Sequence, residues 1–348
     1  MKVADILSRV KDGERLNASH ALVLLEEASW LDLAQLANEK RIAKVGADKA
    51  SYTLFKIINY TNVCEIDCTF CSFKKTQGAK GSYVMNLEDI EESGKAAQEL
   101  GANQIFLQGG VHPSLPFSYY LEALKILKDI GIAHIRGFSP VELRQMAAME
   151  KRPLAEVLKD LKLAGLDSVP GAGAEILVER VREILSPNKC DVGEWGDILK
   201  ECHKLGLYGS ANIVFGSVES NAEMIEHLEV VRNLQDETGG FNSFIPWTFQ
   251  PQTKDFVVEK IPHHQYLKVL ALCRLYLDNI DNIEVSVMVL GQDIGQLALR
   301  MGANDISSPV LEENVLRSYG VKDEKAAIKL IEEAGLKAFK RDFNYQPV

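Results

Sequence analysis

Three cysteines, Cys64, Cys68 and Cys71, lie within one eight-residue stretch of this 348-residue chain. Cysteine thiolates are the usual protein ligands of iron–sulfur clusters, and clusters that only transfer electrons commonly have four of them. Three thiolates at this spacing would leave one iron of a 4Fe-4S cube without a protein ligand. An iron with an open position can bind and reduce a small molecule, so the spacing predicts a reactive cluster.

Two other uses of cysteine fit the sequence less well. A structural zinc site normally has four ligands, often from two Cys-x-x-Cys pairs, and the sequence contains no second pair. Disulfide frameworks are typical of small secreted proteins, whereas we expect no secretory leader at the start of this chain. The other cysteines stand singly, which suits small buried apolar positions; they are Cys190, Cys202 and Cys273.

The composition argues against several classes of protein. Hydrophobic residues make up 46% of the chain and charged residues 25%, as in a compact globular protein with a sizeable core. The formal net charge of -10 and the pI near 5.3 argue against a nucleic-acid partner. No apolar run approaches the roughly 20 residues of a membrane span. We therefore expect a cytoplasmic protein with no nucleic-acid or membrane partner, in which thiols stay reduced.

From residue 51 onward the sequence repeats a short apolar run, a polar or glycine-containing turn and an amphipathic helix. This alternation is typical of a parallel α/β fold. An open doubly wound sheet would show the same alternation, but eight units within about 250 residues favour a (β/α)8 barrel of the TIM type. The eight strand candidates cover residues 54–59, 104–108, 134–138, 166–169, 210–215, 243–249, 284–289 and 303–306.

The barrel is expected to have an extension at each end. We predict an N-terminal helical extension over residues 1–50 and a barrel over residues 51–308, with the cysteine loop at 64–71. A C-terminal helical segment over 309–348 is expected to pack on the barrel, with helices near 310–318 and 324–333. In such barrels the functional residues lie at the C-terminal ends of the strands. The cysteines directly follow the first strand candidate, so they should lie at that end.

The pattern Cys-x-x-x-Cys-x-aromatic-Cys resembles the cluster motif of the radical S-adenosylmethionine superfamily. In that superfamily, the open iron binds the amino and carboxylate groups of S-adenosylmethionine. An electron from the cluster then cleaves the sulfonium and gives a 5'-deoxyadenosyl radical. The resemblance implies that Cys64, Cys68 and Cys71 are the metal ligands of a 4Fe-4S cluster and that S-adenosylmethionine is the cosubstrate.

The same resemblance implies which residues at the strand ends bind S-adenosylmethionine. Phe73 is expected to contact adenine, and Gly109 and Gly110 are expected to receive the methionine amino group, because glycine lets a ligand approach the backbone closely. Glu175, which follows a glycine-rich turn, is expected to hydrogen-bond the amine or ribose of the nucleoside. A first-turn glutamate that complements a helix dipole would give the same sequence pattern. Arg182 on the following helix is expected to pair with the ligand carboxylate.

Residues at two strand ends suit an aromatic substrate. The sixth strand candidate ends in aromatic and apolar residues beside Thr248 and Gln250, and such groups would shield a carbon radical from water. We expect Gln108, Trp247 and Gln250 to contact the substrate. Because side chains alternate along a strand, Trp247 or Phe249 could instead belong to the core.

Longer segments resemble the radical enzymes of the futalosine route to menaquinone; they are residues 58–64, 107–110, 167–177, 234–241 and 244–251. The residues of these segments most resemble the member that cyclises dehypoxanthinyl futalosine, and the sister enzyme that builds aminofutalosine is the alternative. The implied cyclisation begins when the deoxyadenosyl radical removes a hydrogen atom from the ribose of an aromatic nucleoside-like substrate. The carbon radical then adds to the benzoate ring, and loss of one electron and one proton restores aromaticity.

This reaction implies further partners and residues. An external one-electron reductant of the flavodoxin or ferredoxin type is expected. His112 is the candidate base for the last proton, and Arg136, Lys254 or Arg300 could bind the benzoate carboxylate.

Three positions depart from the family pattern. Ser217 stands where a histidine is expected, Ala172 replaces a glycine, and the segment with Val287 lacks an expected tryptophan. These departures concern the pocket and therefore the exact substrate, whereas the cluster motif is intact. A non-catalytic iron–sulfur electron carrier is the most distant alternative, because a carrier needs no open iron.

Overall fold

Three N-terminal helices precede the first strand in the computed structural model, which describes residues 1–250, 256–306 and 323–348. They are α1 (Val3–Lys11), α2 (Ala18–Glu27) and α3 (Trp30–Val45). Asn17 accepts a hydrogen bond from the first turn of α2, and Ser29 forms a capping box with Asp32 at the start of α3. Local cap residues therefore define where these two helices begin.

Seven strands belong to the barrel wall: β1 (Lys49–Tyr52), β2 (Phe55–Ile58), β3 (Gln104–Leu107), β4 (His134–Gly137), β5 (Gly209–Phe215), β6 (Phe241–Thr248) and β7 (Asn282–Ile283). All their ladders are parallel. Single bridges complete the ring: Ser168 pairs with Arg136 of β4, and Asp305 pairs with both Glu284 and Ser51 of β1. The Gly171 amide donates to Ser210 of β5. The sheet is therefore closed, which confirms the predicted barrel.

The segment predicted as a seventh strand over residues 284–289 differs from the structure. The strand ends early, with β7 at Asn282–Ile283 and a further bridge at Glu284, and residues Val287–Leu290 form the short helix α12. The side chains of Val287 and its neighbours are buried in this helix, as they would be in the predicted strand. A continuous apolar run does not distinguish a buried strand from a buried helix, which explains the error.

The other helices between the strands are α4 (Leu87–Glu99), α5 (Phe117–Asp129), α6 (Pro140–Glu150), α7 (Leu154–Ala164), α8 (Glu179–Leu185), α9 (Val192–Lys204), α10 (Asn221–Thr238), α11 (His263–Tyr276) and α13 (Gln292–Leu299), and they surround the barrel. Strand residues alternate between these helices and the barrel interior. Ile135 is completely buried and does not border the interior cavity, whereas Arg136, next to it in sequence, does. This alternation sets which side chains face the interior.

The C-terminal segment combines a helix with a strand. Helix α14 (Glu324–Glu333) is followed by β8 (Lys337–Lys340), which pairs in parallel with β1. The expected purely helical segment is therefore wrong here, because β1 offers a free edge to the alternating sequence of β8. The expected helix near 310–318 lies outside the described residues. Among the residues that are described, no helix is long and apolar enough to cross a membrane.

Candidate active site

The cysteine loop follows β2 and is fixed by backbone hydrogen bonds. The Glu65 amide donates to the Val111 carbonyl at 3.0 Å, which attaches the loop to the turn after β3. The Thr69 amide donates to the Leu185 carbonyl at 2.9 Å, which attaches it to the end of α8. The loop thus lies across the C-terminal ends of the strands, as the sequence predicts.

The three thiols are free of disulfides and electrostatically coupled. Cys68 is buried, and Cys64 and Cys71 are partly exposed. Burial raises the pKa of the Cys68 thiol to about 12, and the other two thiols act in the same direction, whereas Lys189 opposes the shift. Burial also raises the pKa of Cys64. Because ligands bind iron as thiolates, cluster assembly must remove these protons.

The donor set fits a cluster better than a single ion. No three histidine, cysteine or carboxylate side chains in the described parts of the chain converge on one metal position. In a cube, each thiolate binds a different iron, so the sulfurs should surround a volume rather than meet at a point. Three free thiols on one anchored loop, with Cys71 bordering the interior cavity, fit that requirement.

Gly109 and Gly110 seat this loop on the end of β3. A Cβ at Gly110 would clash with the Val63 carbonyl oxygen and lie 3.0 Å from Cys64 Cβ, and one at Gly109 would lie 2.7 Å from the Tyr60 ring. The Gly109 amide donates to Glu142 at 3.1 Å. The glycines therefore permit close packing beneath the cluster loop, and their contact with the methionine amino group stays a prediction.

A cavity of about 530 Å³ runs through the barrel beside the cysteine loop. Its upper part, at the C-terminal ends of the strands, contains aromatic side chains, with Phe70 and Phe249 packed edge to face at a centroid distance of 5.2 Å. Its lower part is closed by Arg341, Phe343 and Tyr345 from the C-terminal segment. The sequence-predicted residues on its wall are Cys71, Phe73, Gln108, Glu175, Trp247 and Gln250. Apolar walls with few polar groups are typical of small-molecule sites.

Glu175 has the strongest signature of a ligand-binding residue. Its backbone is in the left-handed region, with a φ of 40°, which is unfavourable for a residue other than glycine and clusters at functional sites. One carboxylate oxygen accepts from Lys189 Nζ at 2.8 Å. The other oxygen, Oε2, is buried and has no hydrogen-bond partner among the described residues. A ligand amine or hydroxyl would satisfy it.

Lys189 connects Glu175 to the cysteine loop. Its ammonium lies 5.3 Å from the centroid of the Phe70 ring. Burial lowers the pKa of Lys189, but Glu175 and Cys68 outweigh that effect and leave the pKa raised. Lys189 thus lies close enough to the cysteine loop to influence the pKa of the Cys68 thiol. No sequence signal marks this residue, because Lys189 stands in an irregular segment outside the motifs.

Arg182 lies away from the cavity wall, and its expected pairing with the ligand carboxylate stays a prediction. The side chain is buried and away from the cavity wall, where Nε donates to the Cys190 carbonyl at 2.9 Å. Another nitrogen donates to the Ala174 carbonyl at 2.9 Å. Through these carbonyls the guanidinium supports the turn that carries Glu175.

His112 also lies away from the cavity wall, and its expected role as a base stays a prediction. It is buried behind the cysteine loop and does not border the cavity. Its Nδ1 accepts a hydrogen bond from the Ser114 amide at 3.1 Å. Burial lowers the pKa of His112, although Glu65 acts against the shift. The geometry therefore indicates a role in shaping the turn after β3.

The three unusual positions differ in their relation to the cavity. Ala172 borders it. Ser217 does not, because its hydroxyl donates to Glu219 Oε2 at 2.6 Å and closes the turn after β5. Val287 is buried within α12, and the following residues, Met288 and Val289, reach the cavity.

The candidates for the substrate carboxylate are separated clearly. Arg136 borders the cavity. Arg300 is exposed outside the barrel, where Nε donates to the Ala334 carbonyl at 2.8 Å. Lys254 lies outside the described residues.

Two family models match most of the chain. Residues 58–231 match the radical SAM superfamily, and residues 238–348 match the CofH/MqnC C-terminal region. Solved structures with the same fold include a methylornithine synthase, with a TM-score of 0.73 and 18% identity over 96% of this chain and 97% of that one. The FeFe-hydrogenase maturase HydG from Carboxydothermus hydrogenoformans gives a TM-score of 0.77 and 18% identity over 99% and 80% of the two chains.

Three similar relatives carry different names. Cyclic dehypoxanthine futalosine synthase from Halalkalibacterium halodurans is 35% identical over 99% of this chain and 95% of its own. A 5-amino-6-(D-ribitylamino)uracil–L-tyrosine 4-hydroxyphenyl transferase from Methanopyrus kandleri is 34% identical over 90% and 88%. Aminodeoxyfutalosine synthase from Thermus thermophilus is 33% identical over 100% and 96%.

Proposed function

The chain belongs to the radical S-adenosylmethionine superfamily, and we propose that it is the member that cyclises dehypoxanthine futalosine in menaquinone biosynthesis. The observation that carries this proposal is a cavity that adjoins the cysteine loop, has aromatic walls and is bordered by Arg136, which has an unpartnered Nε among the described residues. That cavity suits an aromatic, anionic nucleoside-like substrate. The Halalkalibacterium relative, similar over nearly its full length, supports the same activity.

Cys64, Cys68 and Cys71 would hold a 4Fe-4S cluster. When bound, the cluster supplies the electron that cleaves S-adenosylmethionine to the radical that removes a ribose hydrogen atom. Glu175 would accept a hydrogen bond from the nucleoside at its unpartnered oxygen, and Phe73 would contact the adenine. An external one-electron reductant would supply the first electron, and the product radical returns one electron when aromaticity is restored.

The other wall residues would position and protect the carbon radical. A radical reacts with whatever lies nearest, so catalysis depends mainly on orientation. Phe70, Trp247 and Phe249 would exclude water from the upper cavity, and Gln108 and Gln250 would orient the ribose. The Gln250 side-chain amide already donates to the Thr248 carbonyl at 3.1 Å, which restrains its position.

The fate of the adenosyl group tests this proposal. The anaerobically reconstituted protein, given a reductant, S-adenosylmethionine and dehypoxanthine futalosine, should release free 5'-deoxyadenosine. The cyclised product should be lighter than the substrate by two hydrogen atoms. Incorporation of adenosyl into a product made from a carboxyvinyloxybenzoate would instead identify the sister activity. A cluster spectrum that S-adenosylmethionine leaves unchanged would indicate an electron carrier.

A further inference from the structure

Arg136 and Arg341 border the cavity, and among the described residues only Arg341 has a carboxylate partner. Arg341 Nε lies 2.6 Å from Asp305 Oδ2, and a second nitrogen lies 3.7 Å from Glu284 Oε1. Arg136, in contrast, forms no ion pair with any described residue and hydrogen-bonds only to the neutral hydroxyl of Ser210. Its Nε is buried and has no partner in the described parts of the chain.

Glu284, the carboxylate with the strongest electrostatic influence on Arg136, already accepts hydrogen bonds from other residues. Glu284 Oε1 accepts from Tyr345 at 2.6 Å and from Ser243 at 2.7 Å. Burial alone would raise the pKa of Glu284, but Arg341 and Arg136 outweigh it and leave the pKa lowered, so the carboxylate is ionised at neutral pH. The long-range attraction of Glu284 thus reaches Arg136 without supplying a hydrogen-bonded partner.

Arg136 is partly buried and its Nε is fully buried, and a guanidinium inside a protein without a paired anion is costly. Burial accordingly lowers the pKa of Arg136, against the influence of Glu284. Among protein cations, arginine presents donors in a planar fork that matches a carboxylate in two parallel hydrogen bonds. The unsatisfied Nε on the cavity wall therefore favours an anionic ligand group at this point.

The surroundings of Arg136 suit an aromatic carboxylate. Its guanidinium carbon lies 4.9 Å from the centroid of the Phe106 ring, and the two residues are register partners in β3 and β4. Gln108, two residues further along β3, lies about 7 Å nearer the strand ends, because a strand rises roughly 3.3 Å per residue. A ligand held at Arg136 would therefore extend upward past Gln108 toward Cys71.

We propose that Arg136 binds the benzoate carboxylate of the substrate and so directs the ribose toward the cluster loop. This assignment rests on the proposed function. Arg136 acts here as a specificity-determining residue, since an analogue without the anion would leave its Nε unsatisfied. Arg341 borders the same cavity but does not take this role, because Asp305 and Glu284 already pair with it.

The test compares Arg136→Gln with wild type on the natural acid and on its carboxamide analogue. For the acid, KM should rise about 30- to 100-fold in the variant, as expected for the loss of a hydrogen-bonded ion pair. Wild type should prefer the acid to the amide by a similar factor, and the variant should lose that preference. The uncoupled cleavage of S-adenosylmethionine and the cluster absorption spectrum should not change, which shows that the variant is folded.

The matched control is Arg300→Gln, because Arg300 is exposed outside the barrel and should leave both KM values unchanged. Retention of the acid preference in Arg136→Gln would overturn the proposal.

Failure of the proposed function would look different. If wild type turns over neither compound, calorimetry with 3-hydroxybenzoate and 3-hydroxybenzamide still decides the role of Arg136. Binding of the benzoate that disappears in Arg136→Gln would support the anion site, whereas equal binding by both proteins, or no binding by wild type, would overturn it.

Discussion

The upper and lower ends of the barrel both contain buried carboxylates, but these differ in whether their oxygens have hydrogen-bond partners among the described residues. At the upper end, Glu175 keeps one buried oxygen without a partner, and three free thiols lie on the neighbouring loop. At the lower end, Asp305 accepts from Ser51 at 2.7 Å and from Arg341 at 2.6 Å. Buried polar groups normally have partners. The upper end therefore retains unused binding capacity, whereas the lower end is internally satisfied.

This contrast separates ligand binding from structural support within one cavity. Groups that will meet a ligand can remain unsatisfied in its absence, as the unpartnered oxygen of Glu175 illustrates. Groups that hold the barrel closed must be satisfied at all times. Arg136, between the two ends, resembles the upper group because its Nε lacks a partner among the described residues. Substitutions at the two ends should therefore affect different measurements.

Cys68→Ala should give the largest effect. Removing one of three anchors should prevent stable assembly of the cluster, so cleavage of S-adenosylmethionine should fall below detection. Iron and sulfide content after anaerobic reconstitution, together with 5'-deoxyadenosine formation, measures this loss. Cys202→Ala is the control, because Cys202 is a buried thiol in α9 remote from the loop. Full activity in Cys68→Ala would reject the cluster assignment.

Glu175→Gln should have an intermediate effect at the upper end. The substitution replaces a charged acceptor with a neutral one and leaves Lys189 without its ionic partner. We expect the affinity for S-adenosylmethionine to fall about 10- to 100-fold, since hydrogen bonds to charged groups contribute about 1.5–3 kcal/mol. Equilibrium binding to the reconstituted protein measures it.

The control for this experiment is Glu183→Gln, an exposed glutamate on the adjacent helix α8. Equal affinities in wild type and Glu175→Gln, with the cluster intact, would remove Glu175 from the binding site.

The sequence was sufficient where the relevant physics is local. Cys64, Cys68 and Cys71 lie on one loop as free thiols, and the predicted alternation of strands and helices is present in the structure. The strand over 284–289 failed because apolar runs carry no reliable period. The position of the cysteines after β2 followed directly from the barrel rule that strand ends carry function.

Side-chain direction was harder to predict. Arg182 and Arg136 have the same chemistry, yet backbone carbonyls surround the first and the cavity borders the second. Nothing in the neighbouring sequence encodes that difference. The aromatic residues Phe343 and Tyr345 close the cavity through contacts with strands far away in the chain, so a local pattern could not reveal them.

Tyr345→Phe should give the smallest effect and should be confined to stability. The phenol donates to Glu284 Oε1 at 2.6 Å, and its ring lies 3.9 Å from the Arg341 guanidinium carbon. Phenylalanine keeps the ring but removes the hydrogen bond, so the free energy of unfolding should decrease by about 1–2 kcal/mol. Glu284 would retain Ser243 and Arg341, which limits the loss.

Urea unfolding of the reconstituted protein measures this change, with Tyr208→Phe as the control, because Tyr208 is an exposed tyrosine near the start of β5. Uncoupled cleavage of S-adenosylmethionine should continue in Tyr345→Phe, since the cluster loop lies at the opposite end of the cavity. A loss of cluster or of S-adenosylmethionine binding without a loss of stability would contradict the separation of ligand binding at the upper end from structural support at the lower end. It would mean that the lower end controls the upper one. Lower stability with intact cleavage is the result that the satisfied network around Glu284 requires.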